Sequence, residues 1–138
     1  MPSSFAFSAD SSRLDRRRIH SWLSGEAYWA KGRPRHVQDA AIDASRNYGV
    51  WDAEGEQVAY ARVVTDGVTF AWLCDVFVEP GVRGRGIGKM LVEGVIADLT
   101  PLGLKRVMLA TADAHGLYKQ YGFAPSEDPD RYLIRPMT

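Results

Sequence analysis

The chain has 138 residues, 17 Lys plus Arg against 17 Asp plus Glu for a formal charge of zero, and one cysteine, Cys74. That length suits a single domain over residues 1–138, burying roughly two thirds of the surface its unfolded chain would expose. Charge balance gives no global field toward nucleic acid or an acidic membrane. A lone cysteine excludes an intrachain disulfide and a multi-cysteine metal site, and fits a reducing compartment.

Residues 1–5 carry neither the basic flank nor the apolar core of a signal peptide, and no apolar run reaches membrane-spanning length, so the expectation is a cytoplasmic protein with no membrane partner. Phe5 to Phe7 read as a short first strand. Ser11 or Ser12 is placed to cap a helix with Leu14, Ile19, Trp22 and Leu23 on its apolar side, leaving Arg16 to Arg18 as a solvated face. Gly25 to Arg33 connects it to a second helix opening at Pro34, where Val37, Ala40, Ala41 and Ala44 form a narrow small-residue stripe.

From Asn47 the period changes. Tyr48–Trp51, Gln57–Thr65 and Phe70–Val78 read as strands, separated by Asp52–Glu56 and Asp66-Gly67, which makes an antiparallel meander. With Asp66-Gly67 as a two-residue turn, Thr65 faces Val68 and Ala61 faces Trp72. Asp75 then lies opposite Val58, on the face of Tyr60 and offset from Arg62.

The third strand runs into Val82-Arg83-Gly84-Arg85-Gly86-Ile87-Gly88-Lys89 and a helix-period segment from Ile87 to Leu99. Glycines between a strand and a helix let the backbone curl with positive φ. Successive N–H groups and the first helical turn then face an anion, with Arg83 and Arg85 adding positive charge, so the residue types point to a diphosphate site. Only three residues separate Gly84 from Gly88 and Met90 follows Lys89, which fails the nucleotide-hydrolase loop. The third glycine comes one position early for the dinucleotide fingerprint.

What remains, R-x-x-G-x-G after Val-Phe-Val-Glu-Pro, resembles the acetyl-coenzyme A loop of the GNAT superfamily of N-acetyltransferases. A second stretch supports it. After an apolar strand at Lys105–Ala110, the run from Asp113 to Phe123 is similar to the GNAT segment in which a short helix carries a tyrosine and ends at Gly-Phe, and Tyr118 holds that tyrosine position. Thr111 stands where many members carry asparagine. A last strand near Tyr132–Ile134 completes the expected fold: α+β, a mostly antiparallel twisted sheet with helices on both faces.

The resemblance implies acetyl-CoA as acetyl donor and transfer to a primary amine, a small molecule in preference to a protein, within a ternary complex. Phe77 and Val78 fall where the family's central strand bulges and the pantetheine arm lies as an added strand would. The Val78 N–H is then available to the oxyanion of the tetrahedral intermediate. Residues 82–89 would hold the diphosphate, with Arg83, Gly84, Arg85, Gly86, Ile87, Gly88 and Lys89 as cofactor contacts.

Tyr118 has two open readings, packing alone or donation to the departing sulfur, for which a phenol with a pKa near 10 stays protonated at neutral pH. The amine needs a proton acceptor. Asp75, a carboxylate within an apolar strand whose burial would raise its pKa, is one candidate for base or substrate contact, and a structural carboxylate with a partner is the alternative. Glu79, before Pro80, is a second.

His115 reads more readily as scaffold than as base. His20 and His36 lack metal-ligand spacing, so no metal is expected, and Cys74 shows no activating partner. Tyr28, Trp29 and Arg33 would wall the acceptor side, suiting an amine with an apolar group or a carboxylate, or would staple their loop to the core. Two further classes stay open: a non-catalytic acyl-CoA sensor, and nucleic-acid binding through Arg83 and Arg85, which zero net charge disfavours. A homodimer is compatible with the sequence.

Overall fold

A computed structural model describes residues 4–138; the signal-peptide reading rests partly on residues 1–3, which lie outside the described residues. Five strands form one sheet in the order β1-β2-β3-β4-β5: β1 Ala6–Ser8, β2 Arg46–Trp51, β3 Gln57–Thr65, β4 Phe70–Val78 and β5 Arg106–Met108. Pairing is antiparallel from β1 to β4, and β5 adds parallel to β4.

Helices α1 Arg16–Glu26 and α2 Arg35–Asp43 cover one face, where Ile19, Trp22, Leu23 and Ile42 pack with Tyr60 and Phe77. On the other face α3 Ile87–Leu99 buries Ile87, Leu91, Val92, Val95 and Leu99 against Ala59, Ala61, Val63, Ala71 and Leu73. Alternation lets β3 feed both cores, Ala59, Ala61 and Val63 on one face and Tyr60 on the other, while β4 gives Ala71 and Leu73 to one core and Phe77 to the other. This is the α+β architecture expected, with helices on both faces.

Local departures have identifiable causes. Asp15, whose carboxylate accepts from the Arg18 N–H at 3.0 Å, caps α1, while Ser11 sits in a separate 3-10 turn capped by Asp10. Arg16 and Arg18 are tied down, Arg16 to Asp43 at 2.6 Å and Arg18 to Glu56 at 3.2 Å, so the run is not a purely solvated face. In α2 the buried pair is Gln38 and Ile42, and Val37 is exposed. The larger isoleucine and the Arg33-to-Gln38 hydrogen bond of 2.9 Å turn the helix away from the alanine stripe.

The β3–β4 register also differs. Thr65 pairs with Ala71 and Val64 with Trp72, because Asp66 accepts from the N–H groups of Val68 and Thr69 and makes the turn longer than two residues. Tyr132–Ile134 is not a strand; Leu133 and Ile134 are almost fully exposed. β5 is the last strand among the described residues. No described helix is long and apolar enough to cross a membrane.

Candidate active site

The site begins where β4 loses its parallel partner. Pairing with β5 stops at Trp72–Met108, so Leu73 to Val78 run on beside a widening gap. A bulge lies in the same stretch. Tyr60 pairs with Phe77 and Arg62 with Cys74, so Ala61 alone faces both Asp75 and Val76. The odd residue is Asp75, with φ +53°, the one described non-glycine with positive φ. Aspartate tolerates this left-handed conformation better than the β-branched residues around it.

Beyond the bulge, the Glu79 N–H donates to the Val58 carbonyl at 2.8 Å. Alternation along a strand therefore turns the Val78 N–H away from β3, toward the gap. Arg83 follows that edge, its Nε donating to the Val78 carbonyl at 2.9 Å and its guanidinium resting 5.2 Å from the Phe77 ring centroid.

Gly84 and Gly86 both have positive φ, +83° and +79°, and Gly86 caps α3 with no side-chain bond. Met90 is the first residue of the turn whose N–H finds an acceptor, Gly86 O at 3.0 Å. The amides from Gly84 to Lys89 have no main-chain acceptor among the described residues. Six consecutive unpaired donors at a helix start, beside the exposed Arg85 and Lys89, fit a diphosphate.

Two clefts open from the gap. One, of about 460 Å³, runs from this loop past Phe77 and Val78 to Leu117 and Tyr118. The other, of about 590 Å³, has Arg62, Val64, Trp72 and Cys74 as its floor, with Tyr28, Trp29 and Arg33 on one side and Leu109 to Ala114 on the other. They share Tyr28, Trp29, Val76, Asp113, Ala114 and Tyr118. Tyr28 spans the junction, its hydroxyl accepting from the Ala112 N–H at 3.2 Å and its ring edge-on to Trp29 at 4.9 Å.

Tyr118 belongs to α4, His115–Lys119, whose start Thr111 fixes by accepting from the Ala114 N–H at 3.1 Å. Its side chain is 7% exposed and its ring meets Phe123 edge-on at 5.8 Å, yet its hydroxyl has no hydrogen-bond partner among the described residues. Burial first, then the Asp113 carboxylate and the Tyr28 phenol, push its pKa up to about 12. The phenol is thus a protonated donor at neutral pH, free to serve whatever occupies the junction.

Asp75 corrects the sequence reading. Its carboxylate is 1% exposed and accepts from Arg33 Nη1 at 2.8 Å, Arg62 Nε at 2.9 Å and Trp29 Nε1 at 2.9 Å. Burial alone would raise its pKa, but the Arg33 hydrogen bond and the Arg62 charge together outweigh it and hold the pKa below the ordinary carboxylate value. A carboxylate stabilised in this way is a clamp, not a proton acceptor. Arg62, which the assumed register set aside, is its partner because the bulge brings the two together.

Glu79 departs from expectation too. It accepts from Trp22 Nε1 at 2.6 Å and lines neither cleft. Trp29 and Arg33 both wall the second cleft and fasten their loop to the sheet. Burial, its largest influence, pushes the Cys74 thiol up to about 11, leaving it un-ionised at neutral pH. His20 is taken up by the Arg33 carbonyl at 2.8 Å, and among the described residues no group of three potential ligands could hold a metal. Sequence reasoning missed Arg62, Trp72 and Asp113, of which Arg62 and Trp72 show their common face only once the register is correct.

Comparison with known proteins decides the family. A family model described as "Acetyltransferase (GNAT) family" matches residues 16–123. The chain belongs to the GNAT acetyltransferase family. A GNAT-family protein from Xanthomonas campestris pv. campestris, solved as a crystal structure, superposes with a TM-score of 0.92 at 46% identity, covering 99% of this chain and 95% of that one.

Among curated relatives, serotonin N-acetyltransferase 2, chloroplastic, from Oryza sativa subsp. japonica is 42% identical over 85 residues, which is 61% of this chain and 40% of the rice protein. Histone acetyltransferase TAP1 from Glycine max is 32% identical over 53% of this chain and 31% of its own length. The matched stretches span less than half of either relative. A Mycobacterium tuberculosis protein solved in complex with CoA shares the GNAT fold, with a TM-score of 0.73 over 88% of this chain and 73% of that one, at 20% identity.

Proposed function

We propose that this chain transfers the acetyl group of acetyl-CoA to a primary amine of a small molecule, directly, with both substrates bound. One observation carries the reading: the unpartnered Tyr118 hydroxyl stands on the wall shared by two clefts, one of which ends in the unpaired amides of residues 84–89.

Acetyl-CoA supplies a thioester, whose acetyl group passes to the amine while the sulfur leaves as a thiol. Amides of Gly84 to Lys89, with Arg85 and Lys89, grip the diphosphate. Phe77 and Val78 would present the strand edge to the pantetheine arm, and the Val78 N–H would be available to the thioester carbonyl oxygen, a type of contact worth about 3 kcal/mol in other enzymes. Tyr118 gives its proton to the sulfur.

The amine must arrive with a free lone pair. Asp75 is committed to its arginines and Glu79 is outside both clefts. Asp113, close enough to raise the Tyr118 pKa, is the carboxylate at the junction that receives the ammonium end, with solvent in the open cleft to carry the proton away.

The test combines calorimetry of CoA binding with thiol release from acetyl-CoA across amino acids, polyamines, aminoglycosides and arylalkylamines. CoA binding plus amine-dependent thiol release is expected. CoA binding with no release from any amine would mark a sensor, and no CoA binding by folded protein would remove the reading altogether.

A further inference from the structure

The acceptor cleft is electrically lopsided. Four of its lining residues are charged: Arg33, Arg62, Asp75 and Asp113. At the inner end, two guanidiniums with 19% and 14% of their side-chain surfaces exposed share the single carboxylate of Asp75, so one positive charge is left over. Asp75 has no capacity to spare, since it also accepts from Trp29. The remaining partners of the arginines are neutral: Gln38 for Arg33 at 2.9 Å and Ser45 for Arg62 at 3.2 Å. Arg62 Nη2 and Arg33 Nε keep unused donors among the described residues. The opposite end of the cleft, beside Tyr118, carries the Asp113 carboxylate.

Between these ends the floor is apolar and open. Val64 pairs with Trp72 and Arg62 with Cys74, so the four side chains share one face of the sheet, and Val64 and Trp72 are 44% and 37% exposed. Tyr28 and Trp29 add aromatic surface at the rim. Aromatic walls accept a flat apolar body, whereas a half-buried guanidinium with free donors calls for a carboxylate.

Resting on the acetyl-transfer reading, we infer that the acceptor is an aromatic or apolar primary amine bearing a carboxylate at its far end. Arg62 and Arg33 bind the carboxylate and Asp113 faces the amine. Arg62 lies opposite Cys74, and the bulge residue Asp75 separates Cys74 from Val76 at the junction, so the two charged ends of the cleft are set apart along β4. A ring or a dipeptide backbone between amine and carboxylate fits. The dipolar match fixes which end enters first, the usual use of complementary charge in recognition.

Matched pairs test this with the CoA-loaded protein: 4-(aminomethyl)benzoate against benzylamine, and glycyl-phenylalanine against its amide. Each pair shares its amine and ring and differs in the carboxylate. Equilibrium binding by calorimetry needs no turnover, and the acid member should bind at least tenfold more tightly in both pairs. In Arg62→Gln the acid-to-neutral ratio should fall to within twofold of one, while Arg62→Lys should restore part of it. Pairs that agree within threefold in the unaltered protein, a preference for the neutral member, or binding of neither overturns the inference, whatever the variants do. Thiol release from any other amine would still leave the acetyl-transfer reading standing.

Discussion

Replacing Asp75 with alanine tests the clamp quantitatively. The carboxylate accepts from Arg33 at 2.8 and 3.4 Å, from Arg62 at 2.9 Å and from Trp29 at 2.9 Å, and its residue is 3% exposed. Removing one partner of a buried ion pair commonly costs about 3–5 kcal/mol. Here the guanidiniums recover some water, which places the loss at the low end, about 3 kcal/mol. Against a domain stability of roughly 5–15 kcal/mol the variant still folds, and its urea midpoint should drop by about 1–3 M.

The pH dependence has a definite sign. The folded Asp75 carboxyl lies below the ordinary carboxylate value, so the stabilisation is complete above the unfolded carboxyl value and is lost as pH falls through the folded one. The gap between the unaltered protein and Asp75→Ala should therefore be full at pH 7 and narrow below about pH 4. Urea titrations of both proteins across this range measure it. A gap under about 0.5 kcal/mol at pH 7, or one that stays constant down to pH 3, would refute the clamp.

Tyr118→Phe removes a hydroxyl with no partner, so stability should stay within about 0.5 kcal/mol while turnover falls about 100-fold or more and CoA affinity holds within about threefold; single-turnover kinetics beside calorimetry separate these. With that phenol at about 12, the rate profile of the unaltered protein should show no alkaline limb from Tyr118 below about pH 10. Gly86→Val puts a β-branched residue at φ +79° where its Cβ meets no atom within 4 Å, so the loop's shape rather than its packing suffers, and calorimetry should show CoA binding at least about tenfold weaker. Gly94→Ala puts a Cβ 2.5 Å from the Phe7 ring and should lower stability by about 1–3 kcal/mol on thermal unfolding, with CoA affinity unchanged.

Where local chemistry decides, the sequence was readable. Glycines before a helix-period run placed the turn and α3 at Ile87–Leu99, and apolar runs between turn signals placed β3 and β4 at their observed bounds. The misses came from contacts distant in sequence. Asp66 reaches two amides and lengthens its turn, which shifts the β3–β4 register. A bulge then adds a residue that no alternation rule anticipates, Asp75 itself, and turns it toward Arg62 and Arg33. The final strand failed because an apolar triplet forms a strand only with a partner, and Leu133 and Ile134 have no sheet neighbour among the described residues.

The bulge and the clamp are one device. A left-handed residue in mid-strand is unfavourable, and a carboxylate in that position is more so unless it is paired. Arg33 supplies a pair from the loop after α1, Arg62 from the neighbouring strand, and Trp29 an indole from the same loop. The interactions that hold the backbone of β4 in its bulge, beside the gap where the thioester arm is proposed to lie, therefore also hold Trp29 and Arg33 as one wall of the proposed acceptor cleft. Geometry at the two sites should then vary together. Loosening the loop at Arg33 would disturb the β4 edge, and relaxing the bulge would release the loop, so a substitution at Arg33 that breaks the Asp75 pair should weaken CoA binding even though it touches none of the amides from Gly84 to Lys89.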